Sequence, residues 1–294
     1  MSQEKVRRAP TIKRFTGPWI AVTPVVAYLA FFFLIPFGYV LAVSFFSVTP
    51  TGAIIPDASL DNYRRIFSSS TSFSAYWRSI YVTFWAVFLG TIFGYATAYT
   101  LAFHVSMRVR YFLLLAIILP FWTSFIIRAF SWQLFLSEGG PLASILRDVG
   151  IIEATLGIAG THIATTIALG LFAAMIVIIT VFSLLDGMEK NILEAAKDLG
   201  GNEWQTFVGV ILPLSTPGLS LGIALSVIIV FGDYVAPTLL GAGMNLLLPQ
   251  LLVQSLQEVY NVPLAAAYAV LLFGTIVLIA MPIMYIGRKA TSGS

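Results

Sequence analysis

Two ionisable residues, Arg128 and Asp233, lie inside long apolar stretches of the sequence. A charge at the centre of a membrane helix costs about 2.5–3.5 kcal/mol on an insertion scale, so residues of this kind are usually paired or functional. A carboxylate that is shielded from water attracts a cation strongly, and Asp233 would therefore suit a cationic amine. Two interpretations stay open. Both residues line the route of a solute, or they pair with each other or reach interfacial water.

Aromatic residues crowd the same two stretches. The candidates for a solute pathway beside Arg128 and Asp233 are Trp122, Phe125, Trp132 and Tyr234. Aromatic ring faces attract cations, which favours contact with a charged solute. Ordinary packing, or a belt of aromatic residues at the membrane interface, is the alternative.

Two prolines add local predictions. Pro120 is expected to kink its span, either as part of a gate or as a static bend. Pro237 has no N–H, so in a continuous helix the carbonyl of Asp233 would lose its usual partner. A freed carbonyl of that kind is tolerated where it faces protein or a watery cavity.

The elements that position these residues are predicted from an unusually apolar composition. Of the 294 residues, 59% are hydrophobic and 10% are charged, and the mean hydropathy is +0.92. Apolar runs of about 18 residues or more indicate membrane-spanning helices. We predict an all-α integral membrane protein with a transmembrane domain over 15–289 and tails at 1–14 and 290–294. Its six spans are expected at about 17–46, 79–103, 111–136, 161–185, 214–240 and 263–287.

Lysines and arginines assign the two sides of the membrane, because cytoplasmic segments collect them. Eleven of the sixteen lie in the N-terminus, the 104–110 loop, the 186–213 loop and the C-terminus, and four lie in segments of the opposite side. Both termini and the 186–213 loop are therefore predicted to be cytoplasmic. The first apolar run is too long for the core of a cleaved secretory signal, so we interpret it as a retained span.

The sequence lacks the residues that several classes of chemistry require. Without cysteine there is no disulfide framework and no thiolate site. His104 and His162 stand alone at predicted helix ends, where structural roles are expected, so no metal site is predicted. A phosphate loop of the form G-x-x-x-x-G-K-[ST] and an H-E-x-x-H motif are both missing from the sequence. The chain is thus not expected to be an enzyme, and the basic residues follow topology and do not indicate nucleic acid.

The 186–213 loop has its own helical pattern. Gly200 suits the left-handed residue that ends a helix, and Asn202 with Gln205 forms a capping-box pair for a second one. Apolar residues recur at helical spacing on both sides of this glycine elbow: Met188, Ile192, Ala195 and Leu199, then Trp204, Phe207, Val208 and Ile211. Two short helices are predicted, which either lie on the membrane surface as a connector or receive another protein.

The same loop resembles the EAA loop of permease subunits of binding-protein-dependent ABC importers. Glu194-Ala195-Ala196 is followed by Gly200 and, after nine more residues, by Val210-Ile211-Leu212-Pro213, with valine where isoleucine is usual. Three further stretches resemble the spermidine/putrescine-type branch of this family: GYATAY at 94–99, FWTSFIIRAFSW at 121–132 and FGDYVAPTLLG at 231–241.

The resemblance implies a six-helix type I importer fold and a translocation pathway for putrescine, spermidine or a related amine. It also implies that the loop docks on an ATPase subunit. The residues expected to couple the chain to that subunit are Glu194, Ala195, Ala196, Asp198, Leu199 and Gly200.

The partners implied by the resemblance are of four kinds. They are two ABC ATPase subunits that bind the ATP and magnesium, a second permease subunit (identical or paralogous), a periplasmic or lipid-anchored solute-binding protein, and the lipid bilayer. No cofactor is expected in this chain, and its expected location is the bacterial cytoplasmic membrane.

Other functions stay open at this stage. The solute could be an opine, an amino-acid derivative or another small organic molecule. A secondary transporter would need no ATPase, but usually has repeated halves, which the sequence lacks. A membrane-embedded enzyme would need convergent reactive side chains, for which Arg128 and Asp233 alone are a poor set.

Overall fold

A computed structural model describes residues 18–49, 51–150, 159–188, 196, 200–241 and 246–292. Within these residues the chain is mostly helical, as a bilayer requires, since a helix satisfies its backbone hydrogen bonds internally. The helices are α1 (Pro18–Leu29), α2 (Ile35–Val43), α3 (Asp61–Ser68), α4 (Ser70–Phe103), α5 (Met107–Ile118), α6 (Phe125–Leu136), α7 (Pro141–Asp148), α8 (His162–Asp186), α9 (Glu203–Thr206), α10 (Leu212–Phe231), α11 (Val235–Leu240), α12 (Leu248–Gln257) and α13 (Val262–Ser292). One short hairpin pairs β1 (Ser47–Val48) with β2 (Ile54–Ile55).

Five helical segments of the described chain are long and apolar enough to cross a membrane, and a sixth span results if one bent pair is counted. The bent pair is Met107–Trp122 with Phe125–Asp148, and its two parts meet at 100°. Pro120 lies in a 3₁₀ turn, Leu119–Trp122, directly before the extended residues of the break. The kink predicted at Pro120 is confirmed, although the chain leaves the helix altogether.

The centre of the bundle is formed by α4 and α8. A Cβ atom placed on Gly90 would lie 2.5 Å from the Cβ atom of Ala173 and 2.6 Å from the carbonyl oxygen of Gly170. Small residues therefore allow the two backbones to approach closely, as is common between membrane helices. Val82, Ala86, Ala168, Leu169 and Val227 continue this core toward α10.

The first span lies outside this core. In the segment Val22–Val43, no residue of the most apolar 18-residue window is buried. The α2 helix contacts α13 through Phe37 and Phe273, whose ring centroids are 4.5 Å apart. The exposed aromatic and aliphatic surface of this span suits contact with lipid.

The fifth span begins earlier and ends earlier than the predicted 214–240. Residues Glu203–Phe231 form one helical run, and α11 is a separate short helix. A π-helical turn, Phe207–Ile211, joins α9 to α10, and the N–H of Leu212 donates to the carbonyl of Phe207. This wider turn precedes Pro213, which cannot donate an α-helical hydrogen bond.

A second π turn, Ala30–Leu34, precedes Pro36 in the same way. In both places the extra residue in the turn relieves the crowding that a proline ring causes inside an α-helix.

Candidate functional site

The second half of the 186–213 loop has the predicted glycine elbow. Gly200 adopts φ +81°, a left-handed conformation that favours glycine. The N–H of Gly201 donates to the carbonyl of Ala196 at 3.2 Å. Glu194, Ala195, Asp198 and Leu199 lie outside the described residues, so the first helix of the loop stays a prediction.

The capping box predicted for the second helix is confirmed. The N–H of Gln205 donates to the side-chain oxygen of Asn202 at 2.8 Å, and the N–H of Asn202 donates to the side-chain oxygen of Gln205 at 2.9 Å. These two bonds satisfy backbone donors that a helix start leaves free. The elbow is therefore fixed in shape where the loop returns to the bundle.

The apolar stripe predicted on this second helix is divided between two environments. Ile211 is buried, and Phe207 packs edge-on against Tyr95 and Tyr99 of α4. Trp204 is 71% exposed and stacks on Phe207. The stripe thus anchors the end of the loop to α4 and leaves one large apolar side chain open to a partner.

A polar cluster fixes the start of the same loop. The Nη2 atom of Arg110 lies 2.7 Å from Oδ1 of Asp186, and the Tyr111 hydroxyl donates to Oδ2 at 2.8 Å. The Nη1 atom of Arg110 also donates to the carbonyl of Ala102 at 3.2 Å. Arg110, Tyr111 and Asp186, here called the Arg110 cluster, thereby join the ends of α4, α5 and α8.

Asp233 lies in the break between α10 and α11 and begins the second of these helices. Its Oδ1 atom accepts from the N–H of Val235 at 2.9 Å, and its Oδ2 atom accepts from the N–H of Ala236 at 3.1 Å. The span that was predicted to run unbroken through Pro237 is interrupted before that residue. The helix has already ended at Phe231, and Pro237 lies in the first turn of α11, where a missing N–H costs little.

Arg128 lies in the first turn of α6 and points back across the break in the third span. Its Nη1 atom donates to the carbonyl of Pro120 at 3.0 Å. Its guanidinium carbon lies 3.7 Å from the ring centroid of Phe172 and 5.3 Å from that of Phe125. No hydrogen bond satisfies its buried Nε atom.

Arg128 and Asp233 form no ion pair within 4.0 Å among the described residues. Each charge is held mainly by its own surroundings. Direct pairing, one of the two interpretations of these residues, is thus absent from this conformation.

The four predicted aromatic candidates do not form one set. Phe125 and Trp132 pack against the core, whereas Trp122 is 87% exposed and Tyr234 is 46% exposed. Phe125 is the one of the four with a ring near the Arg128 guanidinium. An open cavity of ≈ 400 Å³ beside the break is lined by Thr123, Ile127, Arg128, Ser131, Trp132 and Phe135.

Two chemical alternatives receive no support from the described residues. None of their His, Asp and Glu side chains gather in a group of three that could hold a metal ion. Residues 218–222 have the spacing Gly-x-Ser-x-Gly, but they lie inside α10, and Ser220 donates to the carbonyl of Pro217 at 3.0 Å. A nucleophile elbow needs a strained turn between a strand and a helix, which this segment does not have.

Residues 86–286 match the family described as binding-protein-dependent transport system inner membrane component. The chain belongs to this family.

Curated relatives agree with this membership. The spermidine/putrescine transport system permease protein PotB of Haemophilus influenzae is 31% identical over 262 residues, which cover 89% of this chain and 90% of the relative. PotB of Escherichia coli K12 is 29% identical over 264 residues, which cover 90% of this chain and 94% of the relative. The chain is a permease subunit of an ABC importer, a multi-pass transport component of the cytoplasmic membrane.

Solved structures agree on the fold. A bacterial alginate ABC transporter in complex with an alginate pentasaccharide-bound periplasmic protein contains a chain with a TM-score of 0.70. The similarity covers 93% of this chain and 94% of that one at 13% sequence identity. The type I importer fold predicted for this permease is therefore confirmed.

Sequence reasoning missed Phe172 and the Arg110 cluster. Phe172 was hidden inside a uniformly apolar span, and only the fold brings its ring to Arg128. Arg110 and Asp186 were visible as charges at predicted span ends, but Asp186 lies 75 residues from Tyr111. Charges at the ends of consecutive spans would have been the one available signal.

Proposed function

We propose that this permease forms the translocation pathway for a polyamine such as putrescine or spermidine. The observation that carries the proposal is the 31% identity to a spermidine/putrescine permease over 89% of this chain and 90% of the relative. The stretches 94–99, 121–132 and 231–241, which resemble that branch of the family, fall within the matched family region.

Asp233 is the residue we assign to the cationic solute. Each of its carboxylate oxygens accepts one backbone N–H, and an ionised carboxylate oxygen has lone pairs for more than one donor. An ammonium group could therefore bind without displacing the cap of α11. Charge-assisted hydrogen bonds of this kind contribute about 1.5–3 kcal/mol each.

Five further residues complete the proposed pathway in unequal roles: Arg128, Trp122, Phe125, Trp132 and Tyr234. Arg128 and Trp132 line the cavity beside the break in the third span, while Trp122 and Tyr234 offer exposed rings. Phe125 contributes by orienting Arg128.

The proposed coupling site is the EAA loop. Its residues are Glu194, Ala195, Ala196, Asp198, Leu199 and Gly200. The fixed elbow at Gly200 and Asn202 supports this assignment, because a rigid element passes on movement better than a flexible one. The exposed Trp204 beside the elbow adds an apolar contact for a partner.

The proposed assembly contains two ATPase subunits, which bind ATP and magnesium at the cytoplasmic loops, so this chain needs no cofactor of its own. A second permease subunit, identical or paralogous, completes the pore. A periplasmic or lipid-anchored binding protein delivers the solute to the outer side.

Uptake of radiolabelled putrescine by the reconstituted transporter tests the solute assignment. Asp233→Asn is the decisive variant, because asparagine still caps a helix but has no charge. We expect ATP-dependent uptake to fall about tenfold or more, as the loss of one charge-assisted contact implies, while the ATPase still co-purifies. Asp61→Asn, which removes an exposed carboxylate of α3, is the matched control. Normal uptake by Asp233→Asn would refute the assignment.

The coupling site has a separate test. Glu194→Arg replaces the predicted docking carboxylate by a cation and should abolish co-purification of the ATPase subunit in mild detergent. If the ATPase remains bound to this variant as tightly as to the wild type, the loop is not its docking site.

A further inference from the structure

The start of the coupling loop is joined to the third span by a set of polar contacts that does not serve helix stability. Arg110 lies in the first turn of α5, and Asp186 is the last residue of α8. A cation near a helix N-terminus and an anion at a helix C-terminus both oppose the helix dipole. Since each charge is at the unfavourable end of its own helix, their arrangement is explained by the contact between them.

The two charged side chains of the Arg110 cluster are largely buried at an end of the bundle, whereas Tyr111 is 46% exposed. The side chains of Arg110 and Asp186 are 11% and 20% exposed. Attraction between two charges grows as water is excluded, so this pair is stronger than a surface ion pair. The Oδ2 atom of Asp186 accepts the Tyr111 hydrogen bond, while its Oδ1 atom lies in ion-pair contact with Arg110 but without hydrogen-bond geometry.

Few other contacts hold the first part of the third span. None of the residues of α5 is fully buried; Leu114 and Ile117 pack against the neighbouring core, and the Tyr111 ring meets Phe182 of α8 edge-on. The N-terminal end of α5 is therefore attached to α8 chiefly through Arg110 and Tyr111. Asp186 ends the well-packed α8, so a movement of that helix end is passed to α5 through these contacts.

The two ends of the loop lead to different spans. At the end of the loop, Phe207 and Ile211 lead into the continuous helical run of the fifth span, up to the break that holds Asp233. At its start, the Arg110 cluster leads into α5 and, through the 3₁₀ turn, to the Pro120 carbonyl that Arg128 holds. The loop thus has a route to each of the two breaks in the bundle.

We propose that Arg110 is a positioning residue for energy coupling: through Asp186 and Tyr111 it makes the third span follow the coupling loop when the ATPase moves that loop. This inference rests on the proposed docking of the ATPase at the loop, and it assigns a transmission role to residues outside the EAA pattern. The ATPase itself touches none of the three residues in this mechanism.

The test uses the complete transporter in proteoliposomes and measures solute uptake and ATP hydrolysis together. Arg110→Gln is expected to keep ATPase co-purification and ATP hydrolysis while uptake per ATP hydrolysed falls about tenfold, within the range of known coupling effects. Arg110→Lys, which retains the cation, should recover part of the ratio. Tyr111→Phe keeps the ring and removes one hydrogen bond, so its effect should be smaller.

Arg108→Gln is the matched control, because Arg108 lies on the same turn of α5, is exposed and takes no part in the cluster. Its ratio of uptake to hydrolysis should equal that of the wild type. A wild-type ratio in Arg110→Gln would overturn the inference. So would joint loss of co-purification and of folded protein, which would make the cluster a purely structural element.

Failure of the proposed docking is recognised separately. It would appear as an unchanged complex in Glu194→Arg, whatever the ratio measured for Arg110→Gln. A low ratio in Arg110→Gln together with a lost complex in Glu194→Arg is the result that supports both proposals.

Discussion

Two arginines of the third span, Arg110 and Arg128, are held in different ways, and so are the aspartates compared with them, Asp186 and Asp233. At the coupling loop, Arg110 and Asp186 are in direct contact at 2.7 Å, and Tyr111 satisfies the second oxygen. At the breaks in the bundle, Arg128 is held by Phe172 and the Pro120 carbonyl, while Asp233 is held by two backbone N–H groups. The first pair is in direct contact, here called closed, and the second pair is not in contact, here called open.

The difference separates a mechanical role from a binding role. A pair in direct contact is suited to hold two helices together. Two charges that do not touch can each bind a third group, as a pathway for charged solutes requires. The pairs can be compared by substitution, because each partner has a conservative replacement.

The largest expected effect concerns the closed pair. Arg110→Gln or Asp186→Asn should each lower the free energy of unfolding by about 2 kcal/mol, since a largely buried charge loses its partner. The double variant should restore part of this loss, whereas the double-mutant cycle for Arg128 and Asp233 should give a coupling energy below about 0.5 kcal/mol.

Thermal unfolding in detergent measures the double-mutant cycles of both pairs. Arg64→Gln, which breaks an exposed pair with Asp61, is the control and should leave the unfolding temperature unchanged. Equal coupling energies in both cycles would remove the distinction between closed and open.

A smaller effect is expected from the aromatic support of Arg128. Phe172→Leu should lower the free energy of unfolding by about 1–2 kcal/mol, because a cation in a desolvated site loses the ring face that holds it. Phe121→Leu is the control, since that ring is 5.8 Å away and 42% exposed. If the two substitutions have the same effect on thermal unfolding, Phe172 contributes packing only.

The smallest effect distinguishes the two functions of Asp233. Asp233→Ala removes the cap of α11 and should lower the free energy of unfolding by about 1 kcal/mol, whereas Asp233→Asn should leave it nearly unchanged. Uptake should fall in both variants alike. A stable, fully active Asp233→Asn would mean that the carboxylate only caps the helix.

Local rules account well for the parts of the structure that depend on neighbours in sequence. The capping box of Asn202 and Gln205 and the left-handed Gly200 were predicted because short-range chemistry decides them. The positions of the long helices were predicted from the apolar runs in the sequence. The early end of the fifth span was missed because hydropathy does not distinguish one helix from two, although Gly232 and the capping Asp233 gave a local signal.

Features that depend on the packing of distant segments were beyond such rules. Pro120 indicated a bend, but the 100° angle depends on how α6 packs against α8 and α11. Tyr111 and Asp186 are 75 residues apart, and no periodicity marks their contact. The sequence likewise left open whether Arg128 and Asp233 pair, and only the fold brings the Phe172 ring to the Arg128 guanidinium.

The π turn at Phe207–Ile211 has a consequence for the phase of the helix on either side of it. One extra residue in a turn rotates everything before it by about 100° relative to everything after it, because successive α-helical residues are that far apart around the axis. Trp204 therefore lies on a different side of the cylinder from the one that a regular helix through α10 would give it. These five residues therefore set the angle between the loop and the α10 helix. Insertion or deletion of one residue there would rotate the loop relative to α10 without breaking the helix.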